Sequence, residues 1–495
     1  MVAPSLPCPR APNGLPQRRL APSDGARLRH WARKWALVLA LIPARPGAAR
    51  ADVPVIFLPD YPPPAPGHTD LQLHGYVQAD AVAWAQDSED QLAPSTSAPL
   101  NQERFLIRRA RLEADVRRGP LLGWIELDAN TINGPAIGLA SAEISYLLRL
   151  HAPPPSHAPM LASPGAPTPG AEPTVTEPEP MVAGPSPATA RPDLLMASMG
   201  LLRTPFGAEL QERDRDRLFL ERSNVGRALF PGAFDLAARV QARWRVLLLQ
   251  VALSNGNPAG SGQYALQDPT AAKDLVGRMG VALASSGARA LRLEAGVSFL
   301  RGTGFHPGTP ATKDVLVWQD ENGSGIVQPS EIEVIPGSPA TPSSDFHRFA
   351  AGCDLRVSAT LVRRLGELSA FGEVIWAANL DRGLIPADPV ASGRDVRELG
   401  LLAGATQELG HHLIFGARYD YYDADLDSFA ALPIRVVPSS SVFSTTAFIM
   451  AWRFSSVDRF AVELDLNRNP LGRGNNGLPA NLPSDTLTAR AQLAF

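Results

Sequence analysis

The last ten residues, Thr486-Leu-Thr-Ala-Arg-Ala-Gln-Leu-Ala-Phe495, alternate polar and apolar without a break. Thr486, Thr488, Arg490 and Gln492 share one side of an extended strand, and Leu487, Ala489, Ala491, Leu493 and Phe495 share the other. Chain ends usually fray, so a complete half-polar strand running to the carboxylate needs a partner. A barrel closed in lipid supplies one, because no strand edge can stay unpaired there. The expected fold class is therefore all-β, a transmembrane antiparallel β-barrel.

The same alternation recurs along the chain. Leu71, Leu73, Val77, Ala79, Ala81 and Ala83 interleave with Gln72, His74, Tyr76, Gln78 and Asp80. Arg109, Arg111, Glu113 and Asp115 alternate with Ala110, Leu112, Ala114 and Val116. After the turn Arg117-Arg118-Gly119-Pro120, Glu126 and Asp128 alternate with Ile125 and Leu127. Downstream, Arg239, Gln241, Arg243 and Arg245 alternate with Val240, Ala242, Trp244 and Val246. Arg348, Asp354, Arg356, Ser358 and Thr360 likewise face away from Phe349, Cys353, Leu355 and Val357. One face ionised and one apolar suits a soluble sandwich or a porin wall, so alternation alone leaves both open. The number of such segments, each about ten residues long, favours the barrel. Trp84, Trp318, Trp376 and Trp452 near strand ends fit interfacial girdles.

The front of the chain points the same way. A basic patch and short apolar run, Trp31-Ala-Arg-Lys-Trp-Ala-Leu-Val-Leu-Ala-Leu-Ile42, precede Ala49-Arg50-Ala51, which reads as a secretory signal over 1–51. Residues 52–69 form a Pro-rich periplasmic lead-in, and 70–495 the barrel domain, interrupted at 151–192 by a Pro-, Ala-, Thr- and Glu-rich insertion without periodicity. Strand counting from a periplasmic start hangs that insertion on the periplasmic side, and a count shifted by one strand would make it an extracellular loop. Without residues 1–51 the chain holds 37 basic and 48 acidic residues, a balance of about −11 that argues against nucleic-acid binding. Lysine occurs only at 34, 273 and 313. Cys353 is the one cysteine after the leader, so stability has to come from closure and packing.

Gly200-Leu-Leu-Arg-Thr-Pro-Phe-Gly-Ala-Glu209, Leu218-Phe-Leu-Glu-Arg-Ser223 and Ala228-Leu-Phe-Pro-Gly232, with Gly416-Ala-Arg-Tyr-Asp-Tyr-Tyr-Asp423 and the final strand, resemble the phosphate-selective porin O and P family. The resemblance spans roughly 70–495, outside the insertion. It implies a homotrimer of sixteen-stranded barrels in the bacterial outer membrane, each a passive channel for phosphate or other small anions, narrowed by an inward loop. Residues 203–232 are the best candidate for that loop. The lysines of the family's anion path are nearly missing here, although arginine can take their place on phosphate oxygens.

The expected lumen or constriction residues are Arg203, Arg239, Arg243, Arg245, Arg109, Arg111, Arg348 and Arg356. Arg239, Arg243 and Arg245 read either as an anion-steering ladder or as wall arginines paired to carboxylates. Arg109 and Arg111 stand beside Glu126 and Asp128, which favours cross-strand pairing. Arg203 is a constriction contact or a loop anchor, and Asp214–Arg217 with Glu221 and Arg222 a loop-fixing network. His411 and His412 point to opposite faces and do not share a metal, and Asn322-Gly-Ser-Gly325 is a turn without the features of a phosphate cradle. No catalytic constellation, cofactor motif or metal site is evident, so an enzyme is not expected. A weakly selective general porin and a plugged structural or adhesion barrel stand as alternatives to the anion channel.

Overall fold

The computed structural model describes residues 67–85, 103–149, 194–261, 264–284, 291–362, 365–410, 412–432, 435–438, 441–455, 457–473, 479–481 and 484–495. The expected leader, most of the lead-in and the 151–192 insertion lie outside the described residues.

Sixteen strands form one closed antiparallel meander. They are β1 (Thr69–Trp84), β2 (Arg104–Arg118), β3 (Leu121–Asn130), β4 (Ala136–Arg149), β5 (Leu194–Arg203), β6 (Phe234–Trp244), β7 (Leu247–Ser254) and β8 (Asp274–Ala284). The circuit continues with β9 (Leu291–His306), β10 (Ser344–Val362), β11 (Gly366–Ala378), β12 (Arg397–Leu409), β13 (Leu413–Asp423), β14 (Val442–Arg453), β15 (Arg459–Arg468) and β16 (Thr486–Ala494). β16 closes the circuit on β1 in the register Tyr76↔Ala494 to Trp84↔Thr486. The final residue takes part: Phe495 N donates to Gly75 O at 3.0 Å, and Gly75 N to Phe495 O at 2.9 Å. A Cβ on Gly75 would stand 2.4 Å from Arg111 O and 2.8 Å from the Phe495 ring, so only glycine lets the terminal aromatic lie over the seam.

The side-chain distribution is inverted relative to a soluble protein. Val240, Leu249, Val297, Leu355, Val374 and Phe448 are exposed on the outside, whereas Gln78, Glu126, Gln241, Gln250, Asp354 and Glu463 are buried within. Such an exterior is stable only against lipid, and the closed ladder satisfies the backbone there. Val297, 51% exposed near the middle of β9, marks the lipid-facing band. Val297→Arg is expected to cost about 2–4 kcal/mol in urea-titrated refolding into liposomes.

The two ends differ. The strand ends are separated by two or three residues at 119–120, 245–246, 363–365 and 410–412, whereas at the other end they are separated by the long spans 204–233, 255–273, 307–343, 379–396 and 424–441. Short turns are periplasmic in such barrels and long loops external. Arg149 and Leu194, which flank the insertion, pair with each other at the short-turn end.

Three positions depart from strict alternation. Arg245 is not on the β6 face with Arg239 and Arg243; it sits in the two-residue turn to β7 at φ 54°, its guanidinium 5.6 Å from the exposed Trp244 ring. The strand stops because a two-residue hairpin requires positive φ there. Arg108 is skipped where the β1–β2 register passes from Gln78↔Arg109 to Ala79↔Ile107, and this bulge turns it inward beside Arg109. Trp318 belongs to no girdle, since it lies in a small hairpin of the 307–343 loop.

Candidate functional site in the barrel interior

The segment 204–233, between β5 and β6, folds back inside the barrel. Its start explains the Arg203-Thr-Pro-Phe-Gly207 motif. The Arg203 guanidinium donates to Leu210 O and Glu212 O, both at 2.9 Å, and lies 4.7 Å over the Phe234 ring. Phe206 is buried against Phe230, with ring centroids 4.8 Å apart. Gly207 turns the chain at φ +58°, its N–H donates to Ser298 Oγ on β9, and the Glu373 carboxylate occupies the place of a Cβ. Arg203 thus braces the segment.

Beyond that turn the segment touches most of the wall. Ala208 N and Glu209 N donate to Glu373 on β11 at 3.1 Å. The short helix α1 (Asn224–Leu229) is capped by Ser223, and Asn224 N donates to Asp420 on β13. Val225 fills the space left by Gly400 on β12. Leu220 N donates to Glu463 on β15, and Arg490 on β16 donates to Leu220 O at 2.7 Å. An apolar cluster seals this side, where Phe206, Leu210, Leu229 and Phe230 meet inward-facing Val276, Leu300, Ile375 and Tyr422.

The other side is held by charge. Asp214 lies 2.9 Å from both Arg111 and Arg217 and 3.5 Å from Arg109, and Gln78 Nε2 donates to its carbonyl. Glu221 faces Arg490 at 2.9 Å, Arg108 at 3.4 Å and Arg109 at 3.5 Å, while Arg490 also grips Asp80 at 2.7 Å. Arg213 stacks 4.6 Å over Trp124 of β3. The run Gln211–Arg217 is therefore a clamp between lumen walls, with Asp214 and Arg217 buried and its other charged side chains half-buried.

The remaining predicted arginines are likewise engaged. Arg111 reaches Glu126 at 2.5 Å and Asp128 at 3.1 Å across the β2–β3 pair. Arg239 Nη2 donates to both carboxylate oxygens of Glu143 on β4, at 2.9 and 3.1 Å, and Arg243 is buried on the same face of β6. Arg348 is fixed by Asp274 and Gly256 O. Arg356 is held more loosely, 3.8 Å from Glu212. Alternation pointed to lumen faces, but Asp80, Arg108, Glu221 and Arg490 escaped it as a unit. Their meeting depends on barrel closure, a bulge and the inward fold acting together, and no local sequence pattern pairs these four side chains.

On the short-turn side of the segment lies a cavity of about 220 Å³, bounded by β9–β15 and by 208–219. Six arginines line it, at 217, 292, 356, 418, 453 and 459, against seven carboxylates, at 209, 212, 216, 294, 367, 373 and 408. The two signs are interspersed, and their long-range fields largely cancel. Among the described residues no group of three or more His, Cys, Asp or Glu side chains is arranged to hold a metal.

No protein-family profile and no curated protein matches this sequence. Among solved structures, the outer-membrane channel DcaP of Acinetobacter baumannii is similar over 86% of this chain and 97% of its own, at 11% identity and TM-score 0.46. An anion-selective porin from Comamonas acidovorans covers 86% and 100%, at 10% identity and TM-score 0.45. Pseudomonas putida OprB covers 86% and 94%, at 11% and 0.42. Likeness at this level carries no functional argument; the strand pairing itself decides the fold. The chain is a transmembrane barrel of the outer-membrane porin type. Its even number of strands, apolar exterior and charged interior place it in a bacterial outer membrane.

Proposed function

We propose that this barrel is a passive channel for small hydrophilic solutes, narrowed by residues 204–233 and only weakly selective for charge. The observation that carries this reading is the cavity beside the inward segment, lined by six arginines and seven carboxylates inside a closed wall. Selectivity follows the field at the constriction, and interspersed signs give little net preference. The lumen moves solutes down their gradients and needs no chemistry.

An anion or phosphate preference, as the resemblance to phosphate-selective porins implies, is the second reading. Arg356 supports it, being the predicted arginine that lines the cavity, with its carboxylate partner Glu212 as far as 3.8 Å away. Assembly as a homotrimer belongs to the same resemblance, and cross-linking in native membranes tests it.

Liposome swelling separates the two readings. Equal uptake of a neutral sugar and of anionic and cationic solutes of similar size is expected, with a sharp size limit. Arg356→Ala should shift the anion-to-cation ratio less than threefold. Strong preference for phosphate, lost in that variant, would replace the weakly selective reading with the anion channel.

A further inference from the structure

The loop between β9 and β10 carries a hairpin, Val315–Trp318 paired with Ile332–Ile335 in the register Trp318↔Ile332. Within its tip, Asp320 to Glu331 reads Asp-Glu-Asn-Gly-Ser-Gly-Ile-Val-Gln-Pro-Ser-Glu. This is the spacing of a twelve-position calcium loop: oxygen side chains at one, three and five, glycine at six, a backbone carbonyl at seven, and glutamate at twelve. Here those positions are Asp320, Asn322, Ser324, Gly325, Ile326 and Glu331, with serine at five in place of the usual Asp or Asn. Strands flank the loop in place of helices, so the likeness concerns the loop alone.

The backbone is wound accordingly. Gly325, at φ 67°, donates to Asp320 Oδ2 at 2.7 Å. Ser324 N donates to Asp320 Oδ1 at 3.0 Å and Asn322 Oδ1 at 2.9 Å. Gln319 N donates to Glu331 O at 3.1 Å, which brings the two ends of the loop together.

A separate observation points to a ligand. Residues 321–327 are exposed, yet Glu331 is only 7% exposed. Its Oε2 accepts from Trp318 Nε1 at 3.1 Å, whereas Oε1 is buried with no hydrogen-bond partner. A buried carboxylate oxygen without a partner is costly. It is the one carboxylate of the loop that the calcium pattern requires to be bidentate.

We propose that residues 320–331 bind one calcium ion through Asp320, Asn322, Ser324, the Ile326 carbonyl and Glu331. An all-oxygen set on an exposed loop without a rigid octahedral cage suits calcium better than the smaller, strictly octahedral magnesium. With two carboxylates among the donors, the affinity falls in the weak range of extracellular modules, about 10⁻⁴–10⁻³ M. The ion stiffens the outer loop, and this holds whether or not the barrel conducts.

Terbium luminescence on the detergent-folded chain tests the site, since the Trp318 indole bonds a ligand carboxylate and would sensitise a bound lanthanide. Tryptophan-excited emission should saturate with one ion and be displaced by CaCl2. Glu331→Gln and Asp320→Asn should each weaken calcium competition at least tenfold, while Glu321→Gln, at a non-ligating position, should leave it unchanged. Circular dichroism of each variant checks that the barrel has folded. Calcium titration calorimetry supplies a readout independent of the tryptophan. Wild-type affinity in both ligand variants, no calcium binding up to ~10 mM, or displacement by magnesium as readily as by calcium would overturn the assignment.

Discussion

Replacing residues 209–229 with a short Gly-Ser linker is expected to raise single-channel conductance severalfold. A sixteen-stranded wall encloses an aqueous lumen wide enough for a channel, so resistance is set by what stands inside it. The segment 204–233 contacts β1–β3 through Gln78, Arg109, Arg111 and Trp124, and β9–β16 through Ser298, Glu373, Asp420, Glu463 and Arg490. Its removal leaves wall charges that water can solvate, and a few apolar positions such as Ile375 become wet. The barrel should still fold, as judged by its strand signal in circular dichroism and its resistance to protease. Unchanged conductance in a folded variant would mean that the segment is not the limiting constriction.

The second large effect concerns stability. Arg490→Ala should lower barrel stability by about 3 kcal/mol in urea titrations, at the low end of what breaking a buried ion pair costs. Arg490 bridges Asp80 on the first strand, Glu221 on the inward segment and the Leu220 carbonyl, so one side chain ties seam and segment together. The loss stays at the low end because Arg108 remains 2.8 Å from Asp80. Arg490→Ala combined with Asp80→Ala should recover part of it, since the buried Asp80 carboxylate is then gone and Arg108 keeps Glu221 at 3.4 Å. A double variant no better than the single one would show that packing outweighs the ion pair at this position.

Much of the wall was legible because a strand between lipid and water repeats with period two. Gln492 and Arg490 inside, Leu493 and Phe495 outside, follow from that rule alone. The strand number came from the family resemblance, since segments between 261 and 345 divide several ways on pattern. The interior was harder to read. Whether Arg239 steers anions or binds Glu143 depends on which strand stands next to it and on register, and both belong to the closed sheet. Arg245 failed because a turn residue continued the strand's periodicity, and Arg108 because a bulge broke it. Asn322–Gly325 bends back so that Ser324 N reaches Asp320, but that tetrapeptide alone is too short a window. Its chemistry depends on Glu331, beyond that tetrapeptide, and on that side chain's burial.

The most direct test of the central claim is the current through the refolded barrel in a planar bilayer under a KCl gradient. A water-filled lumen with interspersed charges predicts discrete steps, a reversal potential close to zero and little block by added phosphate. Absence of steps from protein that is demonstrably folded and inserted would contradict the channel and leave a plugged barrel serving a structural or adhesive role.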